Sequence, residues 1–129
     1  MKKISKSEVM KRAWAMYRSE GKSFSECLRQ AWKIVKMLSI GNLWEKHGYS
    51  RIYFQQDDLL EMNNVKLRYY KSGNVASCQI NGEDVSNAEG CRWLNSTCKV
   101  FFDLITGRFN AQGHHAEEVI GSLRLALNI

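Results

Sequence analysis

Apolar residues recur along the first forty positions with the spacing of two amphipathic helices. Val9, Met10, Ala13, Trp14 and Tyr17 fall on one helical face, and Leu28, Ala31, Val35 and Leu38 mark a second. Each run opens on a capping box, Ser5-Lys6-Ser7-Glu8 and Ser23-Phe24-Ser25-Glu26. There the serine accepts from the backbone N–H three residues on, and the glutamate reaches back. Gly21 ends the first run and Gly41 the second. With so short a link the pattern predicts an αα-hairpin. Its echo, Lys11-Arg12-Ala13-Trp14 against Arg29-Gln30-Ala31-Trp32, puts both tryptophans at equivalent places. Trp14 and Trp32 are accordingly expected to be buried between the hairpin and a sheet layer.

The punctuation then changes. Residues 42–48 read as a short helical turn or connector, and Arg51 to Phe54 as a strand. Asp57 to Met62 reads as a short helix with Asp57 as N-cap. Val65 to Tyr70 and Val75 to Ile80 alternate as strands around Ser72-Gly73-Asn74. Asn81-Gly82 is the strongest hairpin signal, because a type I′ turn needs positive φ at both central residues. Glu83 to Val85 follows as a short strand. A third capping box, Ser86-Asn87-Ala88-Glu89, opens a helix through about Ser96. Lys99 to Asp103 and Arg108 to Asn110 pair across Thr106-Gly107, and a last helix runs from near His115 with Ala116, Val119, Ile120 and Leu123 inward. Tight hairpins imply antiparallel pairing. The expected class is α+β, an N-terminal αα-hairpin packed on a small antiparallel sheet with two or three further helices.

The chain has 129 residues, so one domain is expected, with residues 1–40 as the hairpin and 49–129 as the α+β body. No apolar run approaches the length of a membrane span, and no apolar segment follows the lysine-rich start as in a secretory signal. The expectation is a cytoplasmic protein with no membrane partner. Cys27, Cys78, Cys91 and Cys98 are scattered among small or apolar neighbours and read as buried hydrophobes in a reducing compartment.

Charge placement narrows the function. Residues 1–40 hold ten Lys or Arg and three Glu, a net +7, whereas residues 41–129 hold nine Lys or Arg and ten Asp or Glu, a net −1. Such asymmetry points the first third at an acidic partner, nucleic acid or an acidic protein surface. Arg29, Lys33 and Lys36 share one face of the second helix, and Lys11 and Arg18 share one face of the first, with Arg12 beside them. These five cations are the candidate partner- or nucleic-acid-binding residues, against the alternative of a solvated face. The aromatic residues Trp44, Trp93, Tyr49, Tyr53, Phe54, Tyr69 and Tyr70 read as core, except that adjacent Tyr69 and Tyr70 must face opposite ways.

Candidate chemistry is sparse. Cys78, Cys91, Cys98, His114 and His115 contain no Cys-x₂-Cys pair, so no zinc site is expected. Nothing marks an activated thiolate, a phosphate-binding glycine loop or a serine elbow, and Asp57-Asp58 reads as a helix cap rather than a carboxylate pair. No catalytic residue and no cofactor are assigned, and a protein that acts by binding is expected rather than an enzyme.

Two stretches carry a family resemblance: MKRAWAMYRSEGKSFSECLRQAW at residues 10–32 and GNVASCQINGEDVSNAEGCRWL at residues 73–94. The first resembles the helical hairpin at the front of many small phage and mobile-element proteins, and the later stretch is similar to such proteins too. Anti-CRISPR and other anti-defence proteins are among them. The resemblance implies an inhibitor that occupies a host defence nuclease, a CRISPR-associated one for instance, or its nucleic acid. The shared motifs are structural, so no functional residue carries over. The alternative is a small module that binds nucleic acid directly.

Overall fold

The computed structural model describes residues 4–129. Residues 1–3, at the front of the expected hairpin, lie outside the described residues. Among those described, two compact units can be distinguished, one closing at Gly41 and the other spanning Asn42–Asn128.

The first unit is a helix pair, α1 (Lys6–Glu20) and α2 (Phe24–Ile40). Both capping serines act as their sequence context requires: Ser5 Oγ accepts from the Glu8 N–H at 3.4 Å, and Ser23 Oγ from the Glu26 N–H at 3.3 Å. Gly21 ends α1 with φ 68°, a left-handed cap that a β-carbon would disfavour. Val9 and Ala13 pack with Cys27, Ala31 and Val35, and Ile4, Met16, Phe24, Leu28 and Trp32 pad the edges. Ala13 and Ala31 are fully buried. The repeated Ala-Trp is thus a pair of small residues where the helices meet. Trp14, expected in the core, is 45% exposed instead, and Trp32 is half-buried. Trp14 sits about 140° around α1 from Val9, outside the narrow stripe that two alanine-lined helices bury.

β1 (Gly41–Lys46) starts at Gly41, continues into the second unit from Asn42, and is paired to β2 (Tyr49–Phe54). Residues 42–48, expected as helical, are therefore a strand and a tight turn. His47 and Gly48 take φ 52° and 81°, the double positive φ of a type I′ hairpin. Histidine in the first turn position concealed that signal. α3 (Gln56–Met62) follows, with Gln55 as its N-cap and no side-chain capping bond. Asp57, expected as the cap, lies two residues past it, where its charge suits the positive end of the first turn. Next come β3 (Val65–Tyr69), β4 (Val75–Ile80), β5 (Glu83–Val85), α4 (Asn87–Thr97), β6 (Val100–Asp103), β7 (Arg108–Asn110) and α5 (Ala116–Leu127).

The strands form two sheets, four-stranded β1-β2-β6-β7 and three-stranded β3-β4-β5. β2 and β6 are antiparallel with Ile52 opposite Phe102 and Tyr53 opposite Phe101; β6 and β7 continue with Phe101 opposite Asn110. Alternation then sends Ile52, Phe54, Val100 and Phe102 inward, and all four are buried. Val119, Leu123 and Leu127 form the buried stripe of α5. α4 lies on β4, capped by Ser86, which accepts from the Glu89 N–H at 3.2 Å. Gln56 Nε2 donates to the Leu94 carbonyl at 2.9 Å and so ties α3 to α4. The class is α+β, and no helix of the described residues is long and apolar enough to cross a membrane.

Candidate binding surfaces

Helix α1 presents its cations away from its partner. Lys11 and Arg18 lie about 160–180° around the helix from Val9, and both are exposed. Arg29 stands about 160° from Cys27 and Ala31 on α2 and is exposed as well. Lys33 and Lys36 share its face but are half-buried. Because Val9 and Ala13 face Cys27 and Ala31 across the hairpin, the two outer faces point in opposite directions. The hairpin therefore keeps Lys11 with Arg18, and Arg29 with Lys33 and Lys36, as two separate basic faces rather than one. Arg12 turns aside to Glu8, at 3.5 Å.

Beside Lys11 and Arg18 lies a feature that the apolar pattern concealed. Met10, Trp14 and Tyr17 are all exposed. Trp14 packs on half-buried Phe24 at 4.5 Å between centroids, and Tyr17 meets Trp14 edge-on at 5.8 Å. The side of α1 next to its basic face is thus a fixed aromatic patch. Only the position of the helix partner separates core aromatics from surface ones, since both satisfy the same periodicity.

In the second unit, the outer face of the four-stranded sheet is also aromatic. Tyr53 and Phe101 are opposite one another with rings 5.2 Å apart, and Trp44 of β1 meets Tyr53 edge-on at 5.9 Å. Asn110 continues the row on β7. Arg51 lies with its guanidinium 4.3 Å from the Phe101 ring centre and 4.5 Å from that of Tyr49, and donates to Tyr53 Oη at 3.1 Å. Its Nε is shielded from solvent and has no hydrogen-bond partner. Trp44 and Tyr49, expected in the core, are exposed. The strand that displays Trp44 was the segment expected to be helical, which is why the row could not be read in advance. Tyr69 and Tyr70 are both exposed, Tyr70 because it lies just past the end of β3.

A recess of about 660 Å³ lies between α3, β3 and the Asn81-Gly82 turn, walled by Asp57, Leu60, Glu61, Lys66 and Tyr69. Burial and then the nearby Asp57 charge push the Tyr69 hydroxyl pKa up. His115 is held between α4 and α5. Its ring stacks on Trp93 at 4.1 Å and 6°, Nε2 meets Glu89 at 2.5 Å and Nδ1 meets Glu118 at 3.0 Å. The Ser96 hydroxyl accepts from the His115 backbone N–H at 2.9 Å, not from the ring. Both ring nitrogens meet carboxylates, and the histidine is therefore arranged to join two helices. Cys27 and Cys78 are buried as expected, whereas Cys91 and Cys98 are exposed. Burial, then the Glu89 charge, raises the Cys78 thiol pKa, the opposite of activation. Among the described residues no group of three His, Cys, Asp or Glu side chains could hold a metal ion. No protein-family model, curated protein or solved structure matches the chain.

Proposed function

We propose that this protein acts by binding rather than by turnover. In this reading the outer side of α1 docks on an acidic surface of a nucleic-acid-handling protein and blocks it by occupancy. The observation that carries the reading is the exposed Met10, Trp14 and Tyr17 patch with Lys11 and Arg18 along its border. Tryptophan, tyrosine and arginine dominate the energetics of protein interfaces, and a desolvated aromatic anchor is worth about 2 kcal/mol or more when truncated. The bordering cations supply orientation and association rate. Arg29, Lys33 and Lys36, on the other side of the hairpin, add long-range attraction to the same acidic partner. A host defence nuclease of the CRISPR-associated kind is the partner class to which the resemblance of residues 10–32 and 73–94 leads.

The test is capture from nuclease-treated lysate of the native host, with the full chain as bait. The wild type is expected to retain a defined protein. Trp14→Ala and a Lys11→Glu/Arg18→Glu variant, both with unchanged circular dichroism, are expected to lose it. Undiminished capture by both folded variants, or capture that vanishes once nucleic acid is digested, would overturn the reading.

A further inference from the structure

The four-stranded sheet of the second unit offers a surface distinct from the hairpin. Its outer face carries Trp44, Tyr53 and Phe101 in a row across three neighbouring strands. The same face carries Arg51 and Arg108, each opposite Asp103, and Lys99 two residues before Phe101. Three cations thus stand against one carboxylate. That carboxylate is already engaged, since Asp103 Oδ1 accepts from the N–H groups of Ile105 and Thr106 at 2.8 and 3.2 Å. Between Arg51, Lys99, Phe101, Asn110 and Gln112 lies a cleft of about 250 Å³.

We propose that this face binds single-stranded nucleic acid, with bases stacking along Trp44, Tyr53 and Phe101 and phosphates meeting Arg51, Lys99 and Arg108. Ring faces accept any base, and cations at their border meet the backbone that links successive bases. The Arg51 guanidinium lies over the Phe101 and Tyr49 rings, 4.3 and 4.5 Å from their centres, and so holds a cation beside the row for the phosphate backbone. Asn110 and Gln112 bring both donors and acceptors to the same cleft, as a base edge requires. A duplex hides its base faces and cannot use such a row. The rings run across three neighbouring strands as successive stacking positions, the arrangement that consecutive bases of one strand fill.

The assay is fluorescence anisotropy of the full chain with labelled oligo-dT and oligo-rU of about twelve nucleotides, competed with unlabelled duplex. At least one single strand is expected to bind, with log K falling against log salt at a slope near −2, about −0.7 for each of three phosphate contacts. Trp44→Leu is expected to weaken binding by about tenfold or more. Lys99→Gln, whose exposed side chain leaves the packing intact, is expected to make the salt slope shallower by about 0.7. Lys11→Glu/Arg18→Glu keeps its affinity for the oligonucleotide even where it loses protein capture, so the two surfaces fail separately. Equal competition by duplex would overturn the assignment. So would loss of binding only in the hairpin variant, or wild-type affinity in folded Trp44→Leu and Lys99→Gln.

Discussion

One methyl group placed at Gly90 tests how closely α4 lies on the three-stranded sheet. Gly90 is buried in the first turn of α4, and a β-carbon there would stand 3.0 Å from Cys78 Cβ, 3.1 Å from Leu67 Cδ2 and 3.2 Å from Val75 Cγ1. Leu67 can swing its methyl aside, but Cys78 Cβ is fixed to the backbone of β4. Two effects oppose each other. Alanine is better than glycine in a helix by about 1 kcal/mol. Overpacking a filled core costs about 1–3 kcal/mol. The second is the larger, so Gly90→Ala is expected to destabilise by about 1 kcal/mol net. Gly121 in α5 is the internal control, since a β-carbon there would meet nothing within 4 Å. Gly121→Ala keeps the helix gain alone and is expected to stabilise by about 1 kcal/mol. For a chain of 129 residues each kcal/mol moves Tm by about 4 °C. Thermal melts followed by circular dichroism should therefore shift in opposite directions for the same chemical change. A Gly90→Ala variant that melts as high as Gly121→Ala would refute the close approach of helix and sheet.

Three further outcomes follow from the same geometry. The hydrogen bond from Arg92, and with it the one to His115, outweighs the opposing effect of burial and holds the Glu89 carboxyl below the usual glutamate range. A depressed carboxyl contributes stability that is present at neutral pH and lost as pH falls below about 4.3 and through the depressed value, so Glu89→Gln should flatten the acid limb of a Tm-against-pH curve; an identical limb would refute the linkage. Trp14→Ala should cost about 1–2 kcal/mol in denaturant unfolding, below the 3–5 kcal/mol of a buried aromatic, because nearly half of the ring surface is already in water. Chelator should leave Tm unchanged and elemental analysis should find no stoichiometric zinc, since buried Cys78 and exposed Cys91 and Cys98 do not converge on one site; one zinc per chain would contradict this.

What the sequence determined alone is local. The serines at 5, 23 and 86 cap their helices because the capping bond spans only three residues. Asn81 and Gly82 turn a hairpin because their backbones tolerate φ of 53° and 82°. The concentration of positive charge in the first forty residues is likewise a property of composition. What only the tertiary structure decided is which side of each element meets another. Periodicity marks an apolar stripe without saying how wide a strip the neighbour covers, so Ala13 is buried while Trp14, one residue on, stands in solvent. The cations of the hairpin were legible as residues, yet their division into two opposed faces depends on how α1 meets α2. Residues 42–48 carry too little alternation to reveal a strand, and β1 forms because β2 offers its hydrogen-bonding edge across the His47-Gly48 turn. The row from Trp44 to Phe101 draws on residues more than fifty positions apart. Strand order and register bring those rings together, and they are settled by long-range pairing that no local window of sequence contains.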